Sequence, residues 1–141
     1  MIVGVGWFIW PPAPDTLGAD NGVLAPCPGS PNCVHTGLRH PEGTQGMFIE
    51  GRIVRSEMMP RILEVVEAMP RTRVITSTDT YLHAEVRSQL FRFIDDLELL
   101  ILTDRELVVR SASRVGRGDM GVNAARVEEL RGLLKEAGVI R

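Results

Sequence analysis

Val109-Arg110-Ser111-Ala112-Ser113-Arg114-Val115-Gly116-Arg117-Gly118-Asp119-Met120-Gly121-Val122-Asn123 is the stretch on which the fold turns. It opens as a strand, passes through three glycines and ends where a helix starts. Just upstream, Leu107-Val108 extends the strand, and Thr103-Asp104-Arg105-Glu106 turns the chain back on itself. The neighbouring strand then lies within residues 91–102, antiparallel to it. Phe91, Phe93, Leu97, Leu99 and Ile101 share one parity there, interrupted by Asp95. Asp95-Asp96 is costly inside a strand unless paired or bulged.

Further back, Tyr81-Leu82-His83-Ala84-Glu85-Val86-Arg87 alternates cleanly. Leu82, Ala84 and Val86 face one way. Tyr81, His83, Glu85 and Arg87 face the other, on a surface that is either solvated or used for binding. Arg73-Val74-Ile75-Thr76-Ser77 is a short β-branched strand before the turn at Thr78-Asp79-Thr80. Ile62, Val65, Val66 and Met69 recur at helical spacing, with Ser56 as a cap, Pro60 tolerable only in the first turn and Pro70 as a stop. Phe48-Ile49-Glu50-Gly51-Arg52-Ile53-Val54 reads as a first strand weakened by Gly51. After the glycines, Asn123 is the expected cap of a helix whose stripe is Val127, Leu130, Leu134 and Ala137, ended by Gly138. Residues 47–141 therefore predict an α+β domain, ordered strand, helix, four strands, helix. Its sheet should be antiparallel, with about five strands and both helices on one face.

Residues 1–46 are different. They hold seven of the nine prolines but, among charged residues, only Asp15, Asp20, Arg39 and Glu42, so they should run as an extended arm. The arm starts with the apolar Met1-Ile2-Val3-Gly4-Val5-Gly6-Trp7-Phe8-Ile9-Trp10. This segment either lies on the body or is the distal part of a membrane anchor with Trp7 and Trp10 at headgroup level. No run of 18 apolar residues occurs, so the chain as given contains no complete transmembrane helix. A net charge of -2 provides no basic face for nucleic acid.

Three chemistries compete at Pro26-Cys27-Pro28-Gly29-Ser30-Pro31-Asn32-Cys33-Val34-His35. Cys27 and Cys33 form a disulfide if the turn brings their Cα atoms within about 6 Å. A metal site would recruit Cys27, Cys33, His35 and His40, at a spacing unlike a zinc finger. A nucleophilic Cys33 would need His83, the one histidine of the body, as its base. His83 and Glu85 share a strand face, but about 7 Å separates side chains two apart on a strand, too far for direct contact.

The densest polar cluster is Arg110, Arg114, Asp119 and Asn123, with Asp95, Asp96, His83 and Glu85 as candidate partners or binding residues. Arg110 follows Val108 and Val109 and should be partly buried, so it must be paired, with Asp95 or Asp96 nearest in sequence. The balance of acids and bases favours an internal ion-pair network over an anion site at the helix start.

As a set, Pro26-Cys27-Pro28, Pro31-Asn32-Cys33-Val34, Leu82-His83-Ala84-Glu85, Asp95-Asp96 and the 110–123 stretch with Arg126 resemble the bacterial and plastid family called domain of unknown function 1499. The resemblance covers roughly residues 24–135. It is most specific at Arg110-Ser111-Ala112-Ser113-Arg114, Gly116 and Asp119-Met120-Gly121-Val122-Asn123. It implies one domain, no known cofactor, and frequent attachment behind a membrane segment or export signal; it brings no reaction. His35 and Thr36 stand where the family usually shows serines. The expected function is a non-catalytic cell-envelope binding or structural module, its partner a small ligand or a protein. The alternatives are a hydrolase-like enzyme using Cys33 or His83, and a metal-binding protein using the Cys/His quartet. A cytoplasmic location is the alternative to the envelope.

Overall fold

A computed structural model describes residues 11–29, 31–37, 45–88, 93–116 and 121–141. The apolar start and its two tryptophans, His40 and Asp119 lie outside them. The elements run β1 (Cys33–His35), β2 (Met47–Phe48), α1 (Arg55–Glu67), β3 (Thr72–Ser77), β4 (Tyr81–Arg87), β5 (Ile94–Ile101), β6 (Glu106–Ser113) and α2 (Val122–Glu136). They build a six-stranded sheet in the order β1-β6-β5-β4-β3, with β2 also paired to β6, and every pairing is antiparallel. The α+β class and the antiparallel sheet are as expected from the alternating strands. The additional strand is β1, contributed by the Pro/Gly-rich segment. Its pairing continues through Thr36, whose hydroxyl accepts the Val109 N–H at 2.8 Å.

Strand parity explains the layers. Leu82, Ala84 and Val86 of β4, Leu97, Leu99 and Ile101 of β5, and Leu107 and Val109 of β6 enter one core. Met58, Met59, Ile62 and Val66 of α1 and Val127, Leu130 and Leu134 of α2 meet them there. Both helices therefore cover the same face. A fully buried Leu or Ile contributes roughly 1.5–3 kcal/mol, so this layer holds the fold together.

Several local expectations change. The first strand stops at Phe48, because Glu50 to Ile53 forms a turn closed by a 3.1 Å bond from the Ile53 N–H to the Glu50 carbonyl. Only an isolated bridge from Ile49 to Ile140 continues the pairing. Helix α1 begins after Val54 with no side-chain cap, so Ser56 is its second residue and Pro60 lies beyond the first turn. Tertiary contacts set that start: the Arg105 guanidinium holds the carbonyls of Glu50 and Ile53, each at 2.8 Å. Asn123 is not the cap of α2. Gly121, at φ 80°, takes that position, which suits a residue without a Cβ. The other end is as read: Gly138 has φ 74°, and the Gly138 and Val139 N–H groups bond the carbonyls of Lys135 and Leu134 in a Schellman arrangement. Ala137 is exposed rather than part of the stripe, since it sits at the C-cap. Phe93 is 48% exposed, because it precedes β5 instead of lying in it.

Candidate functional site

Alternation sends the other parity of β4, β5 and β6 to the face away from the helices. The register aligns His35, Arg110, Glu98, His83 and Thr76 in one row across the sheet. Cys33, Ala112, Asp96, Glu85 and Arg73 make the next. Over β4, β5 and β6 this polar face is covered, while Arg73 and Thr76 at the β3 edge are exposed. Residues 11–29 cross it, and His83, Glu85, Asp96 and Glu98 are each no more than 5% exposed. The arm supplies little apolar cover; Leu24 packs on Leu100 and Val108.

Arg114, just past the end of β6, is the hub. Its side chain is 1% exposed. Nε donates to Asp96 Oδ2 at 2.8 Å, and Nη2 donates to Asp96 Oδ1 at 2.8 Å and to Glu85 Oε2 at 2.7 Å. Nη1 reaches the Pro11 carbonyl of the arm at 3.0 Å. His83 Nε2 lies 2.7 Å from Asp96 Oδ1. His83 thus reaches across to β5, and Glu85 is held by Arg114. Burial works hardest against the Asp96 charge, yet the hydrogen bonds and charges of Arg114 and His83 outweigh it and hold the carboxyl below its usual range. The Asp96 hydrogen bond is the largest influence on Arg114; against desolvation, it and Glu85 push the guanidinium up, so it stays charged.

Arg110 departs from expectation. Its partner is neither aspartate but Glu98, directly opposite it in the register, with Arg110 Nη1 3.8 Å from Glu98 Oε1. Arg110 Nη2 also donates to the Pro26 carbonyl at 3.5 Å, while Arg110 Nε and Glu98 Oε1 are buried and have no hydrogen-bond partner among the described residues. Glu98 Oε2 accepts from the Tyr81 hydroxyl at 2.5 Å and from the Gly18 N–H of the arm at 2.9 Å. Burial first, then the hydrogen bond and charge of Glu98, push the Tyr81 phenol well above its ordinary value, so it remains a donor.

Asp95 has the opposite parity and points to the helix side. It pairs with Arg126 Nη1 at 2.8 Å. Arg126 also donates to Asn123 Oδ1 at 2.7 Å, which accepts from the Ser111 hydroxyl at 2.6 Å. Asn123 Nδ2 donates to Ser113 Oγ at 2.9 Å and to the Asn32 carbonyl at 3.2 Å. Asn123 is therefore a tie between α2, β6 and the approach to β1. The predicted cluster is thus two networks on opposite faces of the sheet. Residues that sequence reasoning missed are Glu98, Tyr81 and Asn32. The signal for Glu98 was available: it shares the parity of Asp96 inside an otherwise apolar run.

Cys27 and Cys33 are joined in a disulfide, with Cα atoms 5.6 Å apart. It anchors the end of the arm to β1. His35 Nδ1 accepts the Gly37 N–H at 3.0 Å. Among the described residues, no group of three His, Cys, Asp or Glu is placed to hold a metal ion, and no helix is long and apolar enough to cross a membrane.

No curated protein matches the chain. One family model does, over residues 23–134, a span that takes in the disulfide, all six strands and most of α2. The paired side chains of both polar networks lie within it, and the chain belongs to this family, the proteins of unknown function DUF1499.

Proposed function

We propose that the protein is a non-catalytic module of the cell envelope that binds a small ligand or a protein partner, with membrane attachment through its N-terminus. The observation that carries the non-catalytic part is the pairing of the arm-side face. Asp96 and Glu85 are held by Arg114, and Glu98 faces Arg110, all beneath the arm. Groups committed to one another in this way form a scaffold instead of reacting. The disulfide supports a location outside the reducing cytoplasm.

A hydrolase-like reading has one observation in its favour. His83 is oriented by a carboxylate, as a general base requires. Cys33 could serve as its nucleophile, or as a metal ligand with Cys27, only after reduction of the disulfide. Thiol counting and native mass spectrometry on protein from its own cells separate the readings. The expected outcome is no alkylatable thiol and an additional bound mass. A fully reduced pool would remove the envelope location. Turnover of model esters that disappears in His83→Asn would replace the binding module with an enzyme.

A further inference from the structure

Between the second halves of α1 and α2 lies a groove of about 580 Å³. It runs from Arg61 to Met69 on one side and from Glu129 to Ala137 on the other, about 12 Å at 1.5 Å per residue, or two turns of helix. Its floor is apolar. Met69 and Val139 are buried, whereas Val65 and Leu133 are only half-buried, although both pack on the main core. Ala68 and Ala137, the C-cap residues of the two helices, are exposed beside them and leave room for incoming side chains.

The rim is acidic. Glu64, Glu129 and Glu136 are exposed and form no ion pair among the described residues. The cation beside them, Arg61, is already given to Glu57 at 3.1 Å. The backbone adds to this field. The last turn of α1 holds no basic residue, so the partial negative charge of its C-terminal carbonyls stands uncompensated beside Glu64. Charge decides between the occupants. Residues 1–10 are apolar but contain no lysine or arginine, and Pro11, which follows them, is held by Arg114 on the opposite face of the sheet. A second copy placed groove to groove would set like charges against each other. An anionic lipid surface would meet the same repulsion. A basic amphipathic helix answers both features: its apolar side chains cover Val65 and Leu133, and flanking lysines or arginines reach the three carboxylates.

We propose that this groove docks a basic amphipathic helix of a separate protein. The inference rests on the binding-module reading and names its partner class. Three peptides of equal length, each about four helical turns, test it. One combines leucine and lysine at helical spacing, one leucine and glutamate, and one serine and lysine. Each is titrated into the isotope-labelled full chain and followed by amide NMR. The leucine–lysine peptide should shift residues 61–69 and 129–139 and bind about tenfold or more tightly than either of the others. Glu64→Gln with Glu129→Gln and Glu136→Gln, all at exposed positions, should weaken it about tenfold, the combined scale of three exposed ion pairs. Asp15→Asn with Asp20→Asn, which removes two exposed carboxylates from the arm, should leave its affinity unchanged. Equal binding of the leucine–lysine and leucine–glutamate peptides, an unaffected triple variant, or shifts confined to residues outside the groove would overturn the assignment. Shifts of the groove residues on concentrating the free protein would give the groove to a second copy, and shifts with phosphatidylglycerol vesicles would give it to a membrane; either overturns the assignment as well. In each of these cases a bound mass in the native protein would still uphold the binding module, so the two readings fail separately.

Discussion

The face of the sheet beneath the helices is lined by Leu97, Leu99, Leu107 and Val109, whereas the face beneath the arm carries His83, Glu85, Asp96, Glu98 and Arg110, and both sets are buried. The helices bring broad apolar stripes to their side. The arm brings Leu24 and a few half-buried neighbours to the other, and most of residues 11–29 remain exposed. A segment so poor in apolar side chains cannot close a surface by the hydrophobic effect. It is held by polar contacts to ionised or strongly polar side chains: Gly18 to Glu98, the Pro11 carbonyl to Arg114, and the Pro26 carbonyl to Arg110. One sheet can thus carry two closures, one by apolar burial and one by paired charge. The second needs every partner in place.

The largest test of this contrast is Arg114→Ala. It leaves Asp96 and Glu85 buried without their cation and should cost about 3–5 kcal/mol, a loss on the scale of a deep Leu→Ala change on the helix side. Urea unfolding of Arg114→Ala and Leu97→Ala side by side measures it. If Arg114→Ala unfolds like the parent, paired charge does not close the arm side.

Acid probes the same network without mutation. Asp96 has its carboxyl depressed below the ordinary value of 3.8. A depressed carboxyl contributes stability that is present above its unfolded pKa and lost as pH falls through the folded one. Stability from this group should therefore be level at neutral pH and decline below about pH 4. Leu97→Ala should keep that acid limb, and Arg114→Ala should flatten it.

A smaller effect is expected at the anchor of the arm. Opening the Cys27–Cys33 bridge, six residues apart, should lower stability by about 2 kcal/mol. Hydrogen exchange should rise at residues 17–29 before it rises in the helix-side core. Uniform exchange in the two regions would mean that they open as one unit.

The smallest change is expected where pairing is poorest. Arg110 and Glu98 stand 3.8 Å apart, and each has a buried atom without a partner among the described residues, so their attraction repays little of their desolvation. Replacing both, as Arg110→Met with Glu98→Gln, keeps an acceptor for the Tyr81 hydroxyl and the Gly18 N–H and should hold stability within about 1 kcal/mol of the parent. Each single replacement should be worse than the pair. A double variant that falls as far as Arg114→Ala would show that this pair is as important as the Arg114 hub.

How much of this was legible differs between fold and site. The bounds of β4 follow from strict alternation of Leu82, Ala84 and Val86 with polar residues, and the end of α2 follows from Gly138, because both signals are local. The start of α1 was misplaced because Arg105, distant in sequence, holds the turn that leads into it. Asn123 misled for a related reason. Its side chain suits a helix cap in isolation, but the buried Ser111 hydroxyl and the half-buried Ser113 hydroxyl lie across from it, and bonding them satisfies more groups than a solvent-facing cap would.

By itself the sequence determined the α+β class, the antiparallel strands, the face to which each strand residue points, and the need for buried arginines to be paired. Those follow from alternation, helical period and the cost of burying charge, all written in short windows of residues. Only the tertiary structure decided that Arg114 takes Asp96 and Glu85, that Arg110 takes Glu98, that Asp95 turns to Arg126, and that the arm lies over the polar face. Parity assigns a side chain to a face. Which charge it meets there depends on the register between strands and on what covers that face, and both are set by the free energy of the whole packed chain.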